Sequence, residues 1–114
     1  MIWGIAVDDE QVYFTGANSD QAAFTLEPSG VTIRNSAFGS ASLVNGSLLW
    51  EVAAPLNSVA YAMPTVVGDI VLVCTTNRIN VTDPALLHGE FLALDKHTGK
   101  TLLDVRWTMW SMVA

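Results

Sequence analysis

Short apolar-rich runs broken by small groups of turn formers set the rhythm of this chain. Gly4 to Val7 and Gln11 to Thr15 flank the turn Asp8-Asp9-Glu10, and Pro64 to Val67 and Ile70 to Thr75 flank Gly68-Asp69. Runs of this length between Asp, Glu and Gly predict antiparallel hairpins. A stronger hairpin signal lies in Gly89 to Leu102. There Phe91, Leu92, Ala93 and Leu94 form an apolar strand, Asp95 is placed to bond backbone amides at the strand end, and Gly99 supplies the positive φ of a tight reversal. The next strand starts at Lys100. Phe38 to Trp50 repeats this plan in weaker form: Phe38 and Phe91 each precede their turn glycine by eight residues, and Gly46 and Gly99 stand 53 residues apart.

Each half therefore reads strand, turn, strand, long loop, strand, turn, strand. A period of about fifty residues built from short strands predicts propeller-type blades. The expected fold class is all-β, a partial β-propeller of two four-stranded antiparallel blades, residues 1–53 and 54–114. The expected core is Tyr13, Phe14, Leu49, Trp50, Val71, Val73, Phe91, Leu92 and Leu94, with Leu102 in the packing between blades. The loop from Ala17 to Asn35 carries the pattern of an extra hairpin, Ala22 to Leu26 and Val31 to Arg34 joined through Pro28-Ser29-Gly30. Its counterpart, Asn77 to His88, is shorter and contains Asp83-Pro84.

The run Ala93-Leu94-Asp95-Lys96-His97-Thr98-Gly99-Lys100 resembles the repeat of the quinoprotein alcohol dehydrogenases, the pyrroloquinoline quinone (PQQ) enzymes. In that family a blade ends in Ala-Leu-Asp, two variable residues, Thr-Gly-Lys and often a Trp. The first copy, Ser42-Leu43-Val44-Asn45-Gly46, lacks the Asp and Thr, while Leu48-Leu49-Trp50-Glu51 keeps the Trp. The opening Trp3 to Asp8, with Val12-Tyr13-Phe14 and Asn18, is similar to the polyvinyl-alcohol-dehydrogenase-like branch. The resemblance spans about residues 2 to 103.

What the resemblance implies is alcohol oxidation by hydride transfer to PQQ, in secreted or periplasmic full-length relatives. An aspartate would act as base, Ca²⁺ would polarise the quinone, and an arginine would bond its oxygens. Candidates by residue type are Asn18, Asp20, Arg34, Asn77, Arg78 and Asp83, of which Asn18, Arg34, Asn77 and Arg78 are the candidate cofactor contacts. None lies in a catalytic motif of the family, no catalytic residue is assigned, and each reads first as a loop cap or solvated side chain and only second as a cofactor contact. Related repeats, WD40-like ones among them, also build propellers without a quinone. In that reading Leu92, Leu94, Leu102 and Trp50 are packing residues, and Asp95, Thr98 and Gly99 close a hairpin.

Length sharpens this choice. A propeller uses about 4 to 8 blades, whereas 114 residues hold two units, so the chain reads as a two-blade fragment. A quinone pocket needs loops converging from all blades, so the isolated chain is expected to bind neither PQQ nor Ca²⁺ and to oxidise no alcohol. Two blade faces would be left uncovered, and the expected partners are the remaining blades of a propeller or further copies of the chain. With 51% hydrophobic and 14% charged residues, the composition suits strands buried on both faces. The segment from Arg106 to Ala114, with two Trp and two Met, reads either as a last strand with an apolar tail or as a departure from the reading frame.

Charge and chemistry exclude several classes. A net charge of -6 argues against nucleic acid as a partner and repels the tricarboxylate PQQ. No charged n-region with an apolar h-region follows Met1, so no secretory signal is read, and no apolar run approaches the roughly 20 residues of a membrane helix. Cys74 is the single cysteine, which excludes an internal disulfide, and its neighbours make it a small buried strand residue. His88 and His97 have no metal-ligand spacing with it. The dinucleotide, Walker and Gly-x-Ser-x-Gly motifs are absent, and Asn45-Gly46-Ser47 and Asn80-Val81-Thr82 are formal glycosylation sequons.

Overall fold

The computed structural model describes residues 2–18, 20–55, 58–60, 62–76 and 88–108. Within them every regular element is a strand: β1 (Ile2–Val7), β2 (Gln11–Gly16), β3 (Phe24–Thr25), β4 (Thr32–Ile33), β5 (Ala37–Ser42), β6 (Leu48–Ala53), β7 (Thr65–Val67), β8 (Ile70–Thr75), β9 (His88–Asp95) and β10 (Thr101–Thr108). They form two four-stranded antiparallel sheets, ordered β1-β2-β5-β6 and β10-β9-β8-β7, and the small hairpin β3-β4. The all-β expectation holds, and so does the extra hairpin, in shortened form. β10 continues to Thr108, five residues past the point where the sequence pattern fades at Leu103.

The 53-residue repeat is carried by hydrogen bonding as well as by sequence. Gly46 N donates to Ser42 O and Gly99 N to Asp95 O, both at 2.8 Å; Leu43 N donates to Glu10 O and Lys96 N to Asp69 O, both at 3.0 Å. Position 43 is thus the counterpart of 96, and 46 of 99. The outer hairpins also share a β-bulge. In β5-β6 the register steps from Ser40↔Trp50 to Ala41↔Leu48, and in β9-β10 from Ala93↔Leu103 to Leu94↔Thr101. Trp50 and Leu103 are therefore counterparts.

That bulge corrects two expected core residues. Leu49 and Leu102 are the extra, unpaired residues of their bulges, so the inward alternation skips them and both are exposed. Cys74 is half-buried rather than buried, because it alternates with the inward-facing Val73 and Thr75. Phe14 and Phe91 are half-buried for the same reason: their neighbours Tyr13, Thr15 and Leu92 take the covered face.

One face of each sheet meets the other. Tyr13, Phe38 and Trp50 of the first sheet, Val71, Val73, Leu92 and Leu94 of the second, and Ala54 and Ala60 of the connection make one hydrophobic cluster. Full burial of such side chains contributes about 1.5–3 kcal/mol each, so this shared core is the main force holding the two sheets together. Their opposite faces carry the exposed Ile5 and Val7 on one side and Val67, Ile70, Leu103 and Val105 on the other.

Candidate functional site

The seam between the sheets contains the densest chemistry. Trp50 on β6 reaches the β9-β10 turn, where its indole Nε1 donates to Lys96 O at 2.8 Å. Its ring lies over Gly99, so closely that a β-carbon there would stand 2.5 Å from Cε3 and 3.0 Å from Val52 Cγ1. With φ at 75°, position 99 favours glycine on two counts, backbone conformation and space. Asp95 fixes the turn from within, its Oδ1 accepting from the amides of His97 (2.8 Å) and Thr98 (3.2 Å). The turn residues expected to cap a hairpin do so, and the turn they shape is the socket for Trp50.

Beside that socket lies a polar triad. Asp8 Oδ2 accepts from Tyr13 Oη at 2.7 Å and from Lys96 Nζ at 3.1 Å, while its Oδ1 accepts from the amides of Glu10 and Gln11, both at 2.9 Å. Burial alone would raise the Asp8 pKa, but the hydrogen bonds from Tyr13, from those amides and from Lys96 outweigh it and hold the carboxyl well below its usual range. Tyr13 is pushed upward by burial and by its bond to Asp8, and Lys96 upward chiefly by its bond to Asp8. Asp8 and Lys96 belong to different sheets and lie 88 residues apart, so no local sequence signal pairs them.

A second polar cluster ties the connection between the sheets. Ser36 Oγ donates to Ala17 O (2.6 Å) and accepts from Ala60 N (2.9 Å), and Asn35 Nδ2 donates to Ala54 O (3.0 Å) and Ser58 O (3.2 Å). Both side chains are buried and bonded to backbone, which makes them structural.

Of the sequence-derived candidates, Asn18, Asp20 and Arg34 lie among the described residues. Asn18 sits at φ 50° and closes its own loop: Nδ2 donates to Ala22 O (2.9 Å) and Asn35 O (3.3 Å), and Oδ1 accepts from Ala22 N (3.2 Å). It borders an open recess of about 290 Å³ with Gly16, Ala22 and Phe24. Asp20 and Arg34 are exposed outside that lining. Asn77, Arg78 and Asp83 lie outside the described residues. Among the described residues no three His, Cys, Asp or Glu side chains are grouped to hold a metal. His97 stands in the turn, exposed, with Nε2 3.8 Å from Asp69 Oδ1.

Ca²⁺ takes about 6–8 oxygens; among the described residues, the side-chain oxygen bordering the recess is Asn18 Oδ1, which accepts from Ala22 N. No family model, no curated protein and no solved structure matches the chain.

Proposed function

We propose that the chain is a two-blade wall unit of a quinoprotein-alcohol-dehydrogenase-like β-propeller, acting through packing and assembly rather than through chemistry of its own. The observation that carries this reading is the seating of Trp50 over Gly99, with its indole bonded to Lys96 O. The Trp that ends one repeat is locked onto the Ala-Leu-Asp-x-x-Thr-Gly turn of the next, which gives the repeat motif a mechanical role between consecutive units. Apolar residues on both outer faces support it further, since a blade inside a propeller is covered on both sides. Alcohol oxidation would belong to a complete propeller, where loops from every blade surround the quinone.

Titration of the chain with PQQ, followed by tryptophan fluorescence with and without Ca²⁺, tests the non-catalytic part. The expected result is no saturable quenching and no dye reduction by primary or secondary alcohols. Saturable quenching in the micromolar range, strengthened by Ca²⁺, would overturn it.

A further inference from the structure

The two open faces of the molecule are counterparts of the two faces that already pack together. On the second sheet the open face presents Val67, Ile70, Leu72, Phe91, Leu103 and Val105, set on one side by the pairings Ile70↔Val67, Leu72↔Ala93, Leu103↔Ala93 and Val105↔Phe91. In the repeat register Leu72, Phe91, Leu103 and Val105 stand where Tyr13, Phe38, Trp50 and Val52 stand on the covered face of the first sheet. The open face of the first sheet, with Val7, Val12 and Phe14, likewise matches Val66, Val71 and Val73 of the covered face of the second.

The polar lock of the seam shows what should cover these faces. Its three members, Tyr13, Asp8 and Lys96, have the counterparts Leu72, Val67 and Leu43. At the second position of the repeat the ion pair and its tyrosine are thus replaced together by three aliphatic side chains. Two of them, Leu72 and Val67, lie on the second sheet, and the third, Leu43, lies on the far side of the first. Within one chain they cannot meet. Val67 and Leu43 are 60% and 49% exposed, while Leu103 is 54% exposed where Trp50 is 2%. A β-carbon on Gly99 would strike Trp50, whereas one on Gly46 would meet nothing within 4 Å, so the socket for a Leu103 is open.

We infer that the open face of the second sheet binds the open face of the first sheet of another copy of this chain, head to tail. Leu103 seats on the Leu43–Gly46 turn, and Val67 and Leu72 close on Leu43. The contact is heterologous, so it propagates from copy to copy until it closes on itself. The outer edge of β6 is already engaged, Glu51 N donating to Glu27 O at 2.7 Å, so the first sheet offers its face rather than that edge. The inference rests on the repeat reading above but not on any statement about PQQ. The net charge of -6 opposes association, so salt should strengthen it.

The test uses two exposed substitutions on opposite faces, Leu103→Asp and Leu43→Asp, in the full chain, with far-ultraviolet circular dichroism confirming the fold. At tens of micromolar, a range in which open strand faces associate, sedimentation should show wild type larger than a monomer and each variant alone at least tenfold weaker in self-association. Mixed in equal amounts, the two variants should form a one-to-one dimer that grows no further, since each keeps the face the other has lost. A monomeric wild type, a Leu43→Asp variant that still pairs with itself, or a mixture that fails to dimerise would each overturn the inference. Failure here with no PQQ binding leaves the wall-unit reading standing; PQQ binding with head-to-tail pairing intact removes only that reading.

Discussion

Trp50 and Leu103 occupy the same place in the repeat, one residue past the same bulge, yet one is buried and bonded while the other faces outward. Phe38 is likewise buried where Phe91 is half-buried, and Val52 is half-buried where Val105 is exposed. Register therefore decides which face a side chain joins, and the neighbouring sheet decides whether that face is buried. A four-stranded sheet of this kind has no single inside. Both of its faces are apolar, and it behaves as core or as surface according to what stands beside it.

The widest gap between the two positions should appear on truncation. Trp50→Ala removes a fully packed ring and a buried hydrogen bond and should cost about 3–5 kcal/mol in urea unfolding followed by circular dichroism. Leu103→Ala, at a dilution where chains are apart, should stay within about 0.5 kcal/mol of wild type. Equal losses would mean that the two faces are not in the different environments described. Leu94→Ala, in the same covered layer as Val71 and Leu92, should cost about 2–5 kcal/mol and serves as an internal scale for core loss.

A finer separation comes from the two turn glycines, both at φ 75°. Gly46→Ala and Gly99→Ala pay the same backbone penalty for a left-handed alanine, about 1–2 kcal/mol. Only at 99 does the new methyl also collide with the Trp50 ring and Val52. The variant at 99 should therefore be the less stable by a further 1–3 kcal/mol or so, the usual cost of overpacking. In the background of Trp50→Ala that excess should shrink to what the approach to Val52 Cγ1, at 3.0 Å, contributes. If it persists in full, the clash is not with the indole.

Much of this arrangement was legible in the chain. Turn residues located all four main hairpins, and Pro28-Ser29-Gly30 located the small one, because Gly, Asp and Pro act through local backbone geometry that sequence carries directly. Burial was less legible. Leu49 and Leu102 carry core-like side chains, but a bulge of one residue shifts the alternation, and nothing in Ser47-Leu48-Leu49-Trp50 marks where the bulge falls. The lock between Asp8 and Lys96 was invisible for a different reason. It exists only once two sheets have packed, and each residue alone reads as a solvated turn. Asn18, Asp20 and Arg34 carry polar side chains of the right types for a quinone site, and residue type alone does not show that Asn18 borders a recess while Asp20 and Arg34 lie outside its lining.

The smallest effect expected concerns pH, and it again separates the seam from its aliphatic counterpart. Asp8 has a folded pKa depressed below the ordinary carboxylate value of about 3.9, so its contribution to stability is present above that value and is lost as the pH falls toward the folded pKa. Tyr13 and Lys96 are shifted upward, so their contributions are complete below their ordinary values, about 10 and 10.4, and fade as the pH rises beyond them. The seam should hold at full strength between about pH 5 and 9. Asp8→Asn keeps the side-chain shape while removing the charge that Tyr13 and Lys96 face. Urea midpoints measured at a series of pH values should show wild type ahead of Asp8→Asn near neutrality and the difference narrowing below about pH 4. Val67→Asn, at the counterpart position with no ion pair, should give a difference from wild type without that narrowing. A constant gap for Asp8→Asn down to pH 2 or so would show that the carboxylate contributes shape, not charge, to the packing of the two sheets.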